Sequence, residues 1–166
     1  MKTPVLRCTL LLGIGVLFSP VHAATCTLSA TSINFGSYDP TSSAAVTANG
    51  SISFTCTNTG KGDTVSVTLS TGSSGTYSNR TLVRAGQSLG YNVYADSGYT
   101  AILGNGTGGS YYLYACYGRG SGSPCGNSGG YPSGTTFTGA MYGQLPGGQD
   151  VGAGTYADTL TVTLTF

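Results

Sequence analysis

The sequence predicts an all-β fold, a single disulfide-stapled sandwich domain, and three observations support this prediction. No stretch of the 166 residues shows convincing helical periodicity. Several short segments alternate apolar residues with Thr or Ser, and Gly, Asn, Asp and Pro separate them. Strands at this spacing over roughly 140 residues are typical of one sandwich rather than of two domains.

The first 23 residues are predicted to be an export signal. Lys2 and Arg7 supply positive charge, and the apolar stretch at 10–18 is too short to span a bilayer. Small residues end the segment, so we expect cleavage after Ala23. Residues 24–166 are then the exported domain, and no membrane insertion is expected after cleavage.

The exported part opens with a segment whose alternation changes phase. Cys26, Leu28 and Ala30 share one phase, whereas Ile33 and Phe35 share the other. A one-residue change of phase in a strand implies a bulge or a switch between sheets. We therefore expect the chain to leave its first strand alignment between Ala30 and Ile33.

Four later segments alternate without interruption and are predicted strands with one face in the core and one in water. They are residues 52–56, 64–69, 89–93 and 159–166. The last is the clearest, because its apolar residues alternate with four threonines; these apolar residues are Leu160, Val162, Leu164 and Phe166. Residues 58–63 (Asn-Thr-Gly-Lys-Gly-Asp) have the composition of a hairpin turn.

Residues 104–134 depart from this pattern, since they contain eleven glycines. Ordering so much glycine costs conformational entropy, so this stretch needs a disulfide or a partner to hold it. Two interpretations stay open for its tyrosines: half of them enter the core from one more strand at 111–117, or they form an adhesive contact surface. The tyrosines are Tyr111, Tyr112, Tyr114, Tyr117 and Tyr131.

Four cysteines follow the predicted cleavage point, and an even number in an exported chain indicates two disulfides. Sequence alone permits three pairings. We favour Cys26–Cys56, which ties the start of the domain to its next strand, and Cys116–Cys125, which closes the glycine-rich stretch. A four-cysteine zinc site is the alternative, although the spacing lacks the usual Cys-x-x-Cys pairs.

Composition argues against an enzyme. Residues 24–166 contain no His and no Glu, which excludes Ser-His-Asp and Cys-His arrangements. The five aspartates are scattered, so neither a glycosidase pair nor a calcium site is visible, and no cofactor is predicted. Four basic residues against five aspartates leave a net charge of −1, without a basic patch for nucleic acid. Such low charge suits a protein that packs against its neighbours.

Several motifs, in their order and spacing, resemble the spore coat U domain family. Each motif alone is short, but together they extend from Cys26 to Phe166. They are 26–30 (Cys-Thr-Leu-Ser-Ala), 33–40 (Ile-Asn-Phe-Gly-Ser-Tyr-Asp-Pro), 52–56 (Ile-Ser-Phe-Thr-Cys), 89–94 (Leu-Gly-Tyr-Asn-Val-Tyr), 141–143 (Met-Tyr-Gly) and 154–162 (Gly-Thr-Tyr-Ala-Asp-Thr-Leu-Thr-Val).

The resemblance implies an incomplete immunoglobulin-like sandwich in a secreted bacterial protein. That family includes spore coat components and subunits of archaic chaperone–usher pili, which build adhesive, biofilm-promoting fibres. Its missing strand leaves a hydrophobic groove, filled first by a periplasmic chaperone and then by a strand from a neighbouring subunit. By this resemblance Cys26 pairs with Cys56, and the segment from Leu160 to Phe166 forms a wall of the groove.

The predicted function is therefore a structural subunit of a surface assembly, pilus or coat, that passes through the periplasm to the cell surface. After cleavage only Ala24 and Thr25 would precede Cys26, so the chain could receive a donor strand but has none to give. This favours a tip or terminating subunit over a midfibre one. The alternative is a stand-alone secreted binding module that uses residues 104–134.

Overall fold

The computed structural model describes residues 23–118 and 130–166, and it shows two antiparallel sheets that enclose one apolar core. The strands are β1 (Thr25–Ala30), β2 (Val46–Thr57), β3 (Thr64–Leu69), β4 (Arg80–Arg84), β5 (Gln87–Tyr94), β6 (Leu113–Cys116), β7 (Thr136–Leu145) and β8 (Val162–Thr165). One sheet has the order β1-β2-β7-β5-β4, and the other has the order β6-β3-β8. The all-β sandwich is confirmed.

The core lies between the sheets and is built by the predicted alternation. Alternate residues of a strand point to the same face, so β2 buries Ile52, Phe54 and Cys56, and β3 buries its apolar positions in the same way. The segments at 52–56, 64–69 and 89–93 are thus strands, as predicted. The final segment is a strand only over Val162–Thr165.

The alternation does not predict two strands, β4 and β7. β7 is central in the larger sheet and pairs with both β2 and β5. Two of its inward positions are glycines, which interrupts the apolar pattern. A Cβ at Gly143 would lie 2.7 Å from Ile33 Cγ2, and one at Gly139 would lie 2.8 Å from Leu113 Cδ1. These glycines make room for side chains that arrive from other segments.

The segment at 58–63 turns the chain, but the prediction of a hairpin is wrong. β2 pairs with β1 and β7, whereas β3 pairs with β6 and β8, so the turn carries the chain from one sheet to the other. Asn58 and Gly62 adopt positive φ values of 56° and 95°, as tight turns often require. Turn composition predicts a reversal of direction and leaves the partner strand undetermined.

The change of phase after β1 marks the point where the chain leaves the larger sheet. The Thr31 amide still donates to the Ser51 carbonyl at 2.8 Å, beyond the last paired residue of β1, Ala30. Ile33 and Phe35 then turn inward against the core, and the Phe35 ring meets the Tyr91 ring edge-on at 5.8 Å. The chain therefore leaves β1 where the sequence predicted, and there it crosses the edge of the sandwich.

A disulfide joins Cys26 to Cys56, as predicted, and these residues lie directly opposite each other in β1 and β2. Because their sulfurs are bonded to each other, the four-cysteine zinc alternative is wrong. Cys116 is also disulfide-bonded, but Cys125 lies outside the described residues, so its pairing stays a prediction. The described residues contain no cluster of three potential metal ligands and no helix long and apolar enough to cross a membrane.

Candidate functional site

One side of the sandwich is open, and a groove separates the two sheets there. Within the described ranges, β8 pairs only with β3, and β1 pairs only with β2, so each sheet ends in an edge strand on this side. The groove has a volume of about 230 Å³. One wall is the segment 30–35 and the other is the segment 158–162.

The floor of the groove is the core itself. It is formed by side chains from both sheets: Leu69, Leu82, Tyr91, Val93 and Met141. A second cavity of about 720 Å³ shares Ile33, Phe35 and Asp158 with the groove and extends toward Tyr38 and Tyr156. An unpaired strand edge beside an apolar floor is the geometry that accepts an added strand.

The predicted wall residues do not all line this groove. Leu160 and Val162 do, and Leu164 is half-buried against the core. Phe166 is 59% exposed and lies at the opposite end of β8, where it lines a separate cavity with Ala24. Ser70 fixes the end of the groove wall near Leu160 through two hydrogen bonds to Thr161. The Ser70 amide donates to the Thr161 carbonyl, and the Ser70 hydroxyl accepts from the Thr161 amide, both at 2.9 Å.

Asp158 is a wall residue that the sequence analysis did not single out. Its Oδ1 accepts from the Ser73 amide and hydroxyl at 2.9 and 2.7 Å and from the Thr159 amide at 2.8 Å. Its Oδ2 accepts from the Tyr91 hydroxyl at 2.7 Å. Burial acts to raise the pKa of Asp158, but the hydrogen bonds from Ser73 and Tyr91 outweigh it and hold that pKa below its usual value.

Behind this wall lies a buried cation, Arg80, which is 0% exposed. Its guanidinium donates to the Ser70 carbonyl, to the Leu103 carbonyl and to Asn92 Oδ1, at distances from 2.7 to 3.1 Å. Burial lowers its pKa, although nearby Tyr91, Tyr77 and Asp158 oppose that shift. Since Ser70 binds both Arg80 and Thr161, this network positions the groove wall.

Only one of these two polar residues carried a signal in the sequence. Asp158 shares the phase of Leu160 and Val162, so a carboxylate in an apolar row was visible in the alternation. Arg80 gave no such signal, because arginine in a strand is usually solvated.

The tyrosines of 104–134 divide between surface and core, with four of the five exposed, and a contact role for the exposed ones stays a prediction. Tyr111, Tyr112, Tyr114 and Tyr131 are 58%, 47%, 50% and 37% exposed. Tyr117 is only 1% exposed, so including it in the candidate adhesive surface was wrong. It lies beyond β6, in a bridge to Tyr131, and its ring fills the core. Residues 119–129 of this stretch lie outside the described ranges.

Fold and groove together define an incomplete immunoglobulin-like sandwich. The chain belongs to the Spore Coat Protein U domain family, whose pattern matches residues 15–163. A comparison with curated proteins finds no match.

The fold is also similar to a solved structure, with a TM-score of 0.55 and 19% sequence identity. That structure is the CsuC–CsuE chaperone–tip adhesion subunit pre-assembly complex from the archaic chaperone–usher Csu pili of Acinetobacter baumannii. The similarity covers 87% of this chain and 40% of that chain.

Proposed function

We propose that this protein is an exported structural subunit of a bacterial surface assembly, a pilus or a coat, and that its groove accepts an extended strand from a partner. The observation that carries the proposal is the open side of the sandwich, where the edge of β8 borders a groove floored by core residues. Family membership supports it. The proposal assigns no catalysis to the chain.

The inserted strand would run beside β8 and extend the sheet β6-β3-β8. Its backbone would satisfy the unpaired edge, while alternate side chains would enter the groove between Ile33 and Leu160. Each fully buried aliphatic side chain contributes about 1.5–3 kcal/mol, so a few such contacts are comparable to the whole stability of a marginally stable domain.

Two partners would fill the groove in succession. A periplasmic chaperone would insert its strand first, and after delivery to an usher a neighbouring subunit would replace it. The structural similarity to a chaperone–subunit complex supports a chaperone as one of these partners. In a coat, the strand that finally fills the groove would come from a neighbouring coat subunit.

A tip or terminating position is the finer proposal within a pilus. Thr25 already pairs with Thr57 in β1, so any segment that this chain donates must precede Thr25. If cleavage follows Ala23, too little chain remains there to fill a neighbour's groove.

The first test is periplasmic expression of the protein alone and together with a pilus chaperone of the archaic class. We expect degradation or aggregation when it is expressed alone, and soluble, protease-resistant protein when the chaperone is present. The matched control is the same chaperone with Asp in place of the apolar residues of its inserted strand, which should not rescue. Soluble, folded monomer without any chaperone would contradict the proposal, because the sandwich would then complete itself.

A second candidate function is adhesion through the exposed tyrosines, since four of them lie at the surface of one chain region. Tyr112→Ser combined with Tyr114→Ser should reduce attachment to abiotic or host surfaces while the protein stays folded by circular dichroism. Val83→Ser is the control, because Val83 is 44% exposed on the other sheet. Equal attachment by all three proteins would remove the tyrosines from this role.

A further inference from the structure

The backbone ladder between β3 and β8 is interrupted where the groove wall begins. The register of the two strands, with Leu69 opposite Val162, places Ser70 opposite Thr161 in continuation. In an antiparallel ladder, every second opposed pair exchanges two backbone hydrogen bonds. The Ser70 amide donates to the Thr161 carbonyl at 2.9 Å, but the Thr161 amide donates instead to the Ser70 hydroxyl, also at 2.9 Å. A side chain therefore replaces one of the two backbone acceptors.

The Ser70 carbonyl is occupied by the buried cation behind the wall. Arg80 Nε and Nη2 donate to this carbonyl at 3.1 and 2.8 Å, so the planar guanidinium binds it with two donors. The same side chain donates to the Leu103 carbonyl and to Asn92 Oδ1, both at 2.7 Å. Because Arg80 is 0% exposed and held at three acceptors, the Ser70 carbonyl stays directed at Arg80 and not at Thr161.

Beyond Ser70, side chains join the wall to the chain that follows β3. The Ser73 amide and hydroxyl donate to Asp158 Oδ1 at 2.9 and 2.7 Å. The segment 158–161 is thus attached at one end through Ser73 and at the other through Ser70. Leu160 lies between these two attachments and lines the groove across from Ile33.

We propose that Arg80 is a positioning residue of the strand-accepting groove, because it withdraws the Ser70 carbonyl from the ladder and so fixes where the wall 158–161 parts from β3. The inference rests on the proposed function of the groove. Arg80 acts on an inserted strand only through Ser70 and Thr161. Without the guanidinium, the Ser70 carbonyl could accept from the Thr161 amide, the ladder would lengthen, and Leu160 would shift relative to Ile33.

Hydrogen exchange at the Thr161 amide, followed by NMR on the disulfide-intact protein, tests the first step. Ser70→Ala removes the hydroxyl acceptor while Arg80 keeps the carbonyl, so the amide should exchange about tenfold faster. Adding Arg80→Met to Ser70→Ala removes every guanidinium donor and releases the carbonyl, so the protection should return. Ser66→Ala is the matched control, since Ser66 lies on the same face of β3 opposite Thr165, and it should leave the Thr161 amide unchanged.

Release of a captured strand tests the consequence for the groove. The protein would be refolded from denaturant with a synthetic peptide of alternating Val and Thr, and dissociation of the peptide would be followed after dilution. Ser70→Ala should release it about tenfold faster than wild type, as expected for a change within a coupled network. The double variant should also release it faster although its Thr161 amide is protected, because its wall follows β3. Ser66→Ala and Ser70→Thr, which keeps a hydroxyl, should match the wild type.

Three results would overturn the role of Arg80. They are unchanged exchange at Thr161 in Ser70→Ala, protection that Arg80→Met does not restore, and release of the peptide by the double variant at the wild-type rate. If the double variant does not fold, an NMR coupling across the hydrogen bond from Arg80 Nε to the Ser70 carbonyl replaces it in wild type. A detectable coupling supports the inference, and its absence refutes it.

The peptide experiment also separates this inference from the function on which it rests. If the peptide binds and any of the three contrary results is found, the positioning role is refuted and the strand-accepting groove stands. If no peptide binds to the wild-type protein, the groove does not accept strands, and both proposals fail.

Discussion

The two sides of the sandwich differ in how their strands are completed. The closed side is here the interior of the larger sheet, where β2 and β7 pair from Val46 to Thr55 and hydroxyls bridge their outer face, with Thr55 to Thr136 at 2.7 Å. Inside, the Phe54 and Phe137 rings stack at 5.0 Å. On the open side, β8 has four residues and, among the described strands, one neighbour. Both sides use the same alternation of apolar residues and threonines, so the difference arises from the neighbours that each strand finds.

Under the proposed function, the open side would serve folding as well as binding, because its wall residues pack on the core and also border the groove. Substitutions that place charge or bulk on the open side should therefore disturb both partner capture and folding. Changes on outward positions of the same strand should disturb neither.

The largest effect is expected for Leu164→Asp. Leu164 is half-buried against the core, and an unpaired carboxylate there should cost about 3–5 kcal/mol, enough to abolish periplasmic accumulation even with a chaperone. The adjacent Thr163→Asp is the control, since Thr163 is exposed, and it should accumulate normally. Normal accumulation of Leu164→Asp would show that β8 does not face the core.

Cys26→Ser tests how the edge strand β1 is fixed to β2. Loss of the Cys26–Cys56 disulfide should lower the unfolding free energy by about 2–5 kcal/mol, because the bond restricts the unfolded chain. Denaturant unfolding would measure the change, and the Cys26→Ser, Cys56→Ser double variant should be no less stable than the single one. Non-reducing peptide mapping that joins Cys26 to Cys116 or Cys125 would refute the pairing.

Gly143→Ala tests how the open side is packed. The added Cβ would lie 2.7 Å from Ile33 Cγ2 and 2.9 Å from Phe35 Cζ, so it should destabilise by about 1–3 kcal/mol and displace the groove wall. Ala140→Val, at an exposed position of the same strand, is the control for strand propensity. Equal stability of wild type and Gly143→Ala would mean that segment 31–35 does not pack on β7.

The smallest effect is the pH dependence at Asp158. Its pKa in the folded state lies below the ordinary value of 3.8, so the ionised form stabilises the fold above that value, and this contribution disappears as the pH falls through the folded-state pKa. The group is only partly buried, so solvent screening limits this contribution to at most about 1 kcal/mol. Urea unfolding of wild type and Asp158→Asn should differ more at neutral pH than under strong acid. A difference that grows on acidification would contradict this sign.

Much of the fold could be predicted because the relevant signals are local. Alternation in residues 52–56 and 64–69 places their apolar side chains on one face in any sheet. The change of phase before Ile33 predicted the departure of the chain from β1. β7 escaped prediction because Gly139 and Gly143 occupy inward positions, and a glycine there is explained only by the side chains of Leu113 and Ile33, which are distant in sequence.

The lining of the groove could be predicted only in part, and its role in binding stays a prediction. Leu160 and Val162 line the groove as the resemblance implied, while Phe166 lies at the other end of β8 and Tyr117 is in the core. The alternation of apolar and polar residues predicts which residues share a face of a strand. The distance between that face and a second sheet depends on the whole chain.

The sequence by itself determined the all-β character, the inward rows of the main strands and the absence of His and Glu from residues 24–166, because these depend on residue type and spacing. Only the tertiary structure decided that β2 and β3 belong to different sheets and that β8 keeps an open edge. It also decided that the Arg80 cation is buried behind the groove wall, where Ser70 links it to Thr161. Strand partners and burial are long-range properties, since they depend on which distant segments fill the space beside each strand.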